Sequence, residues 1–132
     1  MNPLALTKDD PTTIGFVVSC IFACAIDTRE LQAWADHVLM TVDTYPSYIV
    51  DLSTFDEPLF HIYRIIGFTP HSHLTKTEQM ALVGIAFLRG RQQFEPEPNR
   101  AQALAALAAH PLVVADFRET FPFLNFEYDR YA

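Results

Sequence analysis

The sequence predicts an all-α fold, a compact single-domain bundle of about five to seven helices over residues 1–132. Three observations predict it. Half of the residues are hydrophobic, which suffices for the core of one domain of this length. Capping residues precede several apolar runs, and glycine or proline follows them. Apolar residues also recur at helical spacing, and the clearest stripe consists of Leu31, Trp34, Ala35, Val38, Leu39 and Val42.

The first apolar segment has three interpretations. Residues 1–11 are expected to form a loose arm, after which Thr12 or Thr13 can cap a helix that runs to about Ile26. The run 14–26 could also form a buried β-strand, because its branched and aromatic residues favour strands. Its length also suits the apolar region of a signal peptide, although acidic residues precede it. A run of 13 residues is too short to span a bilayer, and we favour a buried helix.

Two cysteines lie in this first helix. Cys20 and Cys24 are four residues apart, which places both on one helical face. Helical geometry makes a disulfide between them awkward, and buried free thiols are common in protein cores. We interpret them as reduced structural residues, which suits a cytoplasmic protein.

The second helix has a start and an end that can be read from local residues. Asp27 is its expected N-cap, and Glu30 can complete a capping box. The helix is expected to fade near Asp43, because Pro46 disfavours a helical residue before it. Pro46 can then begin a short helical turn that runs through Leu52.

Residues 53–58 are expected to begin another helix, with Thr54 or Asp56 as its cap. Gly67 is expected to end it in the left-handed conformation. The apolar stripe of this helix consists of Leu59, Ile62, Tyr63 and Ile66.

Thr75 and Glu78 form a second capping box. It precedes a helix that is expected over residues 79–89 and that Gly90 ends. Its centre is apolar on all sides, so we expect it to be buried by several neighbours. Gly84 in its interior costs about 1 kcal/mol relative to alanine. Close approach of another helix would account for this glycine.

The last third of the chain contains two further helices and a tail. Residues 94–98 form an extended linker, after which Asn99 caps a helix of small residues over 101–109. Pro111 begins the final helix. The tail, residues 120–132, is predicted to be irregular and is rich in aromatic residues.

Charge and motifs argue for a binding protein. The net charge of −7 disfavours nucleic acid and attracts basic proteins, although such charge also simply maintains solubility. No nucleophile stands beside a base, no glycine-rich loop precedes a helix, and His71 and His73 lack a third metal ligand. We therefore expect no enzymatic activity, no cofactor, no metal and no membrane partner.

Two segments are candidate protein-binding surfaces, because acids select a basic partner and tyrosines supply affinity. The tail could instead be a strap over the core, and acids at a helix start could only stabilise that helix. The first surface consists of Asp43, Tyr45, Tyr48, Asp51, Asp56 and Glu57; the second consists of Glu127, Tyr128 and Asp129.

Four packing and turn motifs follow one another along the chain. They are LQAWAD at residues 31–36, PSYIVDL at 46–52, IIGFTP at 65–70 and ALVGIAFLRG at 81–90. In this order they resemble a family of small bacterial immunity proteins, of the kind encoded beside contact-dependent growth inhibition toxins and other polymorphic toxins. The resemblance covers roughly residues 14–92.

The resemblance implies a cytoplasmic inhibitor that binds a cognate toxin domain and blocks its active site. Such toxins are often nucleases with basic active-site surfaces, which an acidic inhibitor would suit. It implies no catalytic residue in this chain. The alternatives are a helical adaptor or regulatory subunit with an unrelated partner, and a small-molecule-binding domain with a pocket beside Gly84.

Overall fold

The computed structural model describes residues 4–91, 93 and 95–128, and within them the chain is helical with no strand, which confirms the all-α class. None of the helices in this part of the chain is long and apolar enough to cross a membrane. The 3-10 helix Leu59–His61 leads directly into α4. The described residues contain seven α-helices: α1 (Thr12–Phe22), α2 (Thr28–Thr41), α3 (Tyr48–Leu52), α4 (Ile62–Ile66), α5 (Lys76–Leu88), α6 (Arg100–Ala109) and α7 (Pro111–Thr120).

The chain divides into two compact units. Unit 1 comprises Met1–Val18 and Asp27–His73, and unit 2 comprises Ser19–Ile26 and Leu74–Ala132. Helix α1 is shared, with its residues up to Val18 in unit 1 and the remainder in unit 2. The single domain expected for residues 1–132 stays a prediction.

Unit 1 is organised around α2, which begins and packs as the sequence predicts. The carboxylate of Asp27 accepts a hydrogen bond from the Glu30 N–H at 2.8 Å, and the Glu30 carboxylate accepts one from the Asp27 N–H at 3.0 Å. Helix α3 packs against both α2 and α4. The apolar stripe of α2 faces this core, with Leu31, Trp34, Ala35 and Val38 buried and Leu39 and Val42 half-buried.

The described part of the N-terminal arm, residues 4–11, is irregular and is tied to the start of α1. Ala5 exchanges two hydrogen bonds of 2.9 Å with Thr13, one through the threonine hydroxyl and one through its N–H. Leu6 is buried in unit 1, which supplies the apolar contribution that holds the arm.

Helix α1 ends at Phe22, earlier than the predicted end at Ile26. Cys24 has a φ of +64°, in the left-handed region, and the Ala25 N–H closes the helix end by donating to the Cys20 carbonyl at 2.9 Å. Cys20 and Cys24 therefore do not share a helical face as predicted. Both thiols are free, and burial is the main cause that raises the pKa of Cys20.

The helix after residue 53 begins later than predicted, and neither Thr54 nor Asp56 caps it. The Thr54 hydroxyl donates to the Asp51 carbonyl, and the first helical hydrogen bond runs from the His61 N–H to the Pro58 carbonyl at 2.9 Å. Pro58 has an extended ψ of 141°, so it stands outside the helix and precedes it. Gly67 ends α4 with a φ of +91°, as predicted.

Unit 2 contains the predicted close approach of two helices. A Cβ atom added to Gly84 of α5 would lie 2.6 Å from the Ala103 carbonyl oxygen and 3.1 Å from the Leu107 Cβ of α6. The backbone of α6 thus fills the space beside Gly84 where a ligand pocket was an alternative. Capping boxes begin both helices, one formed by Thr75 and Glu78 and the other by Asn99 and Gln102. Gly90 follows α5 with a φ of +73°, and Pro111 begins α7.

Candidate protein-binding surface

The acids of the first candidate surface lie at the surface of unit 1. Asp43 follows α2, Asp51 is on α3 and Asp56 lies in the turn before the 3-10 helix, and all three are exposed. Tyr45 is also exposed, on the loop between α2 and α3. These four residues keep the placement that a binding surface requires.

Tyr48 does not belong to this surface, contrary to the prediction. Only 6% of it is exposed, its hydroxyl donates to the Leu6 carbonyl, and its ring meets the Phe68 ring edge-on at 6.2 Å. Burial raises the pKa of its phenol far above the usual range. Tyr48 therefore helps to anchor α3 to the core. The buried residues Ile49 and Leu52 complete the inward face of this short helix.

Glu57 is engaged within the chain. Its Oε1 atom accepts a hydrogen bond from Arg64 Nη2 at 2.8 Å and lies 3.0 Å from His61 Nδ1. The hydrogen bond with His61 is the main cause that lowers the pKa of Glu57, and the charge of Arg64 lowers it further. The carboxylate is therefore locally neutralised, and it orders its neighbours rather than acting as an isolated charge. The spacings of four and seven residues between these partners are the sequence signal that could have indicated this.

Phe60 is the surface residue that the sequence reasoning missed. Its side chain is 70% exposed, and its ring stands edge-on to the His61 ring with centroids 4.4 Å apart. Val50 on α3 is exposed as well. Helical spacing assigns Ile62 and Ile66 to the core and leaves Phe60 outside it, so the pattern held the signal.

The tail lies over the core of unit 2, which is the strap alternative for this segment. Phe121 and Phe126 are buried, with ring centroids 5.0 and 5.4 Å from that of Phe117. Arg118 Nε donates to the Phe126 carbonyl at 3.1 Å, which ties the tail to α7. The buried rings of Phe121 and Phe126 therefore belong to the core of unit 2.

The second candidate surface consequently reduces to two described residues. Glu127 is exposed, and the half-buried Tyr128 stacks on the Phe126 ring with centroids 6.4 Å apart. Asp129 lies outside the described residues. Glu127 and Tyr128 belong to unit 2, whereas the first candidate surface belongs to unit 1.

The two units differ sharply in formal charge. Unit 1 contains 9 Asp and Glu against 3 Lys and Arg, a net charge of −6. Unit 2 contains 7 against 6, a net charge of −1, and together these make the −7 of the whole chain. Most of the net negative charge of the chain therefore belongs to unit 1.

No group of three or more His, Cys, Asp or Glu side chains in residues 4–91, 93 and 95–128 could hold a metal ion. His71 and His73 are exposed on the loop before α5. The backbone of His71 packs closely on α1, since a Cβ atom added to Gly15 would lie 2.5 Å from its carbonyl oxygen.

Comparison with protein families, curated proteins and solved structures finds no match to this chain. The resemblance to immunity proteins therefore stays a prediction from four motifs. The distribution of charge and exposed apolar side chains is the basis for a functional proposal.

Proposed function

We propose that this chain is an immunity protein that binds a basic, nuclease-type toxin domain in the cytoplasm and blocks its active site. The observation that carries the proposal is the net charge of −6 on unit 1 against −1 on unit 2. A surface that cleaves nucleic acid must attract phosphates, so it presents lysine and arginine. Exposed carboxylates on one side of an inhibitor compete for those same side chains and steer the encounter.

The exposed residues of unit 1 also suit a protein partner rather than an ion or small molecule. The exposed acids Asp51 and Asp56 lie between the exposed apolar residues Val50 and Phe60 along the chain. Protein interfaces combine apolar anchors, which supply affinity, with charges, which supply speed and selectivity. Such a surface blocks an active site by covering it, and no bond needs to be made or broken.

The direct test uses the toxin domain encoded immediately upstream of this chain. We expect a stable complex on size-exclusion chromatography and loss of nuclease activity at an equimolar ratio. A toxin domain that stays fully active and forms no complex would reject the proposal. Bacteria that express the toxin should survive only when they also express this chain.

Charge reversal tests the role of unit 1. Asp51→Lys with Asp56→Lys should slow association with the toxin on the order of 10-fold at low salt, because steering is lost. The difference should shrink at high salt, where charges are screened. The matched control is Glu95→Lys with Glu97→Lys, which changes two exposed acids of unit 2 by the same charge. Stopped-flow fluorescence at several salt concentrations measures both rates, and a salt-independent rate would remove Asp51 and Asp56 from the interface.

A helical adaptor or regulatory subunit is the second candidate, because exposed apolar residues such as Phe60 and Val50 serve any protein partner. The two candidates differ in the partner. An affinity pull-down with mass spectrometry should recover a toxin domain for an immunity protein, whereas an adaptor would recover an unrelated protein whose activity it does not abolish.

A further inference from the structure

One aromatic side chain in unit 1 is exposed and yet held in position. Phe60 stands edge-on to the ring of His61 at 4.4 Å, and His61 Nδ1 lies 3.0 Å from the Glu57 carboxylate. Arg64 Nη2 completes the cluster, 2.8 Å from Glu57 Oε1 and 3.3 Å from His61 Nδ1. The buried side chains of Ile62 and Ile66 fix α4 to the core.

These contacts reduce the freedom that Phe60 would lose on binding. An aromatic ring that is already positioned loses less conformational entropy in an interface than a freely rotating one. The hydrogen bond between His61 and Glu57 requires the ring proton on Nδ1, which also sets the orientation of the imidazole. The cluster therefore presents a large apolar group with a defined direction.

The surroundings of Phe60 can also be covered by a partner at modest cost. Glu57 and Arg64 form an ion pair, so neither charge would be left unpaired when water is excluded. The cluster does not include the exposed acids Asp51 and Asp56, which precede it in the chain. A neutralised centre with charges around it is the usual arrangement of a binding hot spot.

We infer that Phe60 is the apolar anchor of the interface with the toxin, and that it enters an apolar pocket beside the toxin's basic surface. Glu57, His61 and Arg64 are positioning residues that hold the anchor. The inference rests on the proposed function, which requires a basic partner surface. It adds that the partner has a pocket for an aromatic ring next to its lysine and arginine side chains. The net charge of −6 on unit 1 is the reason for choosing a basic partner as the occupant.

The anchor and the charges should affect different rate constants. Phe60→Ala should speed dissociation of the toxin complex on the order of 30-fold, because hot-spot side chains act mainly on dissociation. Association should change less than about 3-fold, since no charge is altered. Biolayer interferometry with the immobilised upstream toxin domain measures both rates.

Leu112→Ala is the matched control, because Leu112 is a 75% exposed apolar residue of unit 2. We expect neither rate constant to change in this variant. Circular dichroism melting should show that both variants fold like the parent, since each removes an exposed side chain.

A double-mutant cycle tests the positioning role. Glu57→Ala alone should speed dissociation by about 3- to 10-fold, and it should have no further effect when Phe60 is already alanine. A contribution of Glu57 that is independent of Phe60 would instead persist in that background. Such persistence would overturn the positioning role.

The outcomes separate the two proposals. If the parent chain forms no complex with the toxin, the proposed function fails and the anchor with it. If the complex forms and Phe60→Ala dissociates like the parent, the anchor is wrong while the proposed function stands. A second copy of this chain is the competing occupant. A dimer that Phe60→Ala dissolves, together with unchanged toxin binding, would assign Phe60 to self-association and overturn the inference.

Discussion

The two units pack their helices in different ways. In unit 1, α3 and α4 have five residues each, and both bury large apolar side chains such as Ile49 and Ile62. In unit 2, α5 and α6 have 13 and 10 residues, and their backbones approach closely where Gly84 meets Ala103. Short helices are unstable by themselves, so tertiary packing must hold α3 and α4.

The two units also differ in net charge. Unit 1 carries almost the whole net charge and the exposed Phe60, whereas unit 2 is nearly neutral. Helices that are anchored by a few inward residues leave their outward positions free for charges and apolar anchors. The unit that contains the two shortest α-helices of the described residues, unit 1, therefore also carries the larger net charge.

The most severe test of the core of unit 1 is Trp34→Ala. Trp34 is 1% exposed, and its removal should lower the free energy of unfolding by about 3–5 kcal/mol. Urea denaturation followed by circular dichroism measures the change. Met40→Ala on the same helix is the control, because Met40 is 84% exposed and should change stability by less than about 0.5 kcal/mol. An unchanged midpoint for Trp34→Ala would show that unit 1 is not built around α2.

The same experiment sharpens the division of the chain. One unfolding transition, shifted as a whole by Trp34→Ala, would support the predicted single domain. Two transitions, of which only one shifts, would show that the units unfold separately.

Gly84→Ala tests the close approach in unit 2. Helix propensity alone would stabilise α5 by about 1 kcal/mol. The new Cβ would lie 2.6 Å from the backbone oxygen of Ala103, which cannot turn aside like a side chain, so we expect a net loss of about 1–3 kcal/mol. Thermal and urea unfolding measure it.

Ala105→Gly provides the comparison for this variant. Ala105 is exposed on α6, so the substitution should report helix propensity alone, with a loss of about 1 kcal/mol. If Gly84→Ala were more stable than the parent, the close packing of α5 on α6 would be contradicted.

The smallest expected effect concerns Asp116 on α7. Partial burial is the main cause that raises the pKa of its carboxyl group, and the negative charges of Glu119 and Glu78 raise it further. A raised carboxyl pKa means that the folded chain holds this proton more tightly than the unfolded chain does. Stability from this group is therefore lost as the pH rises from about 4 through the raised pKa.

Asp116→Asn should remove that loss. At pH 7 we expect a gain of less than about 1 kcal/mol, because solvent screens much of this exposed site. The gain should vanish below about pH 4, where the parent carboxyl is protonated in both states. Urea unfolding between pH 3 and pH 7 measures it, with Asp43→Asn as the exposed control in unit 1. A gain that is the same at every pH would contradict the electrostatic origin.

Local signals in the sequence predicted the helix starts well and the helix ends unevenly. The capping boxes at Asp27 and Thr75 are as predicted, because each depends on residues three apart. Gly67 and Gly90 also end their helices in the left-handed conformation. Cys24 takes that conformation without being glycine, so the end of α1 had no readable signal.

The exposure of the candidate surface residues was predicted correctly for some of them and wrongly for Tyr48. Asp43, Asp51 and Asp56 are exposed as expected, because isolated acids are seldom buried. Tyr48 was wrongly placed, since a tyrosine near a turn suits the surface and the core equally. Its hydroxyl donates a hydrogen bond to the carbonyl of Leu6, which lies 42 residues away in the chain.

The sequence by itself determined the helical class, most helix starts and the excess of acids, because each follows from composition or from residues within one helical turn of each other. Tertiary structure decided which residues meet in the core, as in the hydrogen bond from Tyr48 to the Leu6 carbonyl and the approach of the Ala103 backbone to Gly84. Local spacing cannot specify these outcomes, because each depends on contacts between residues that only the folded chain brings together.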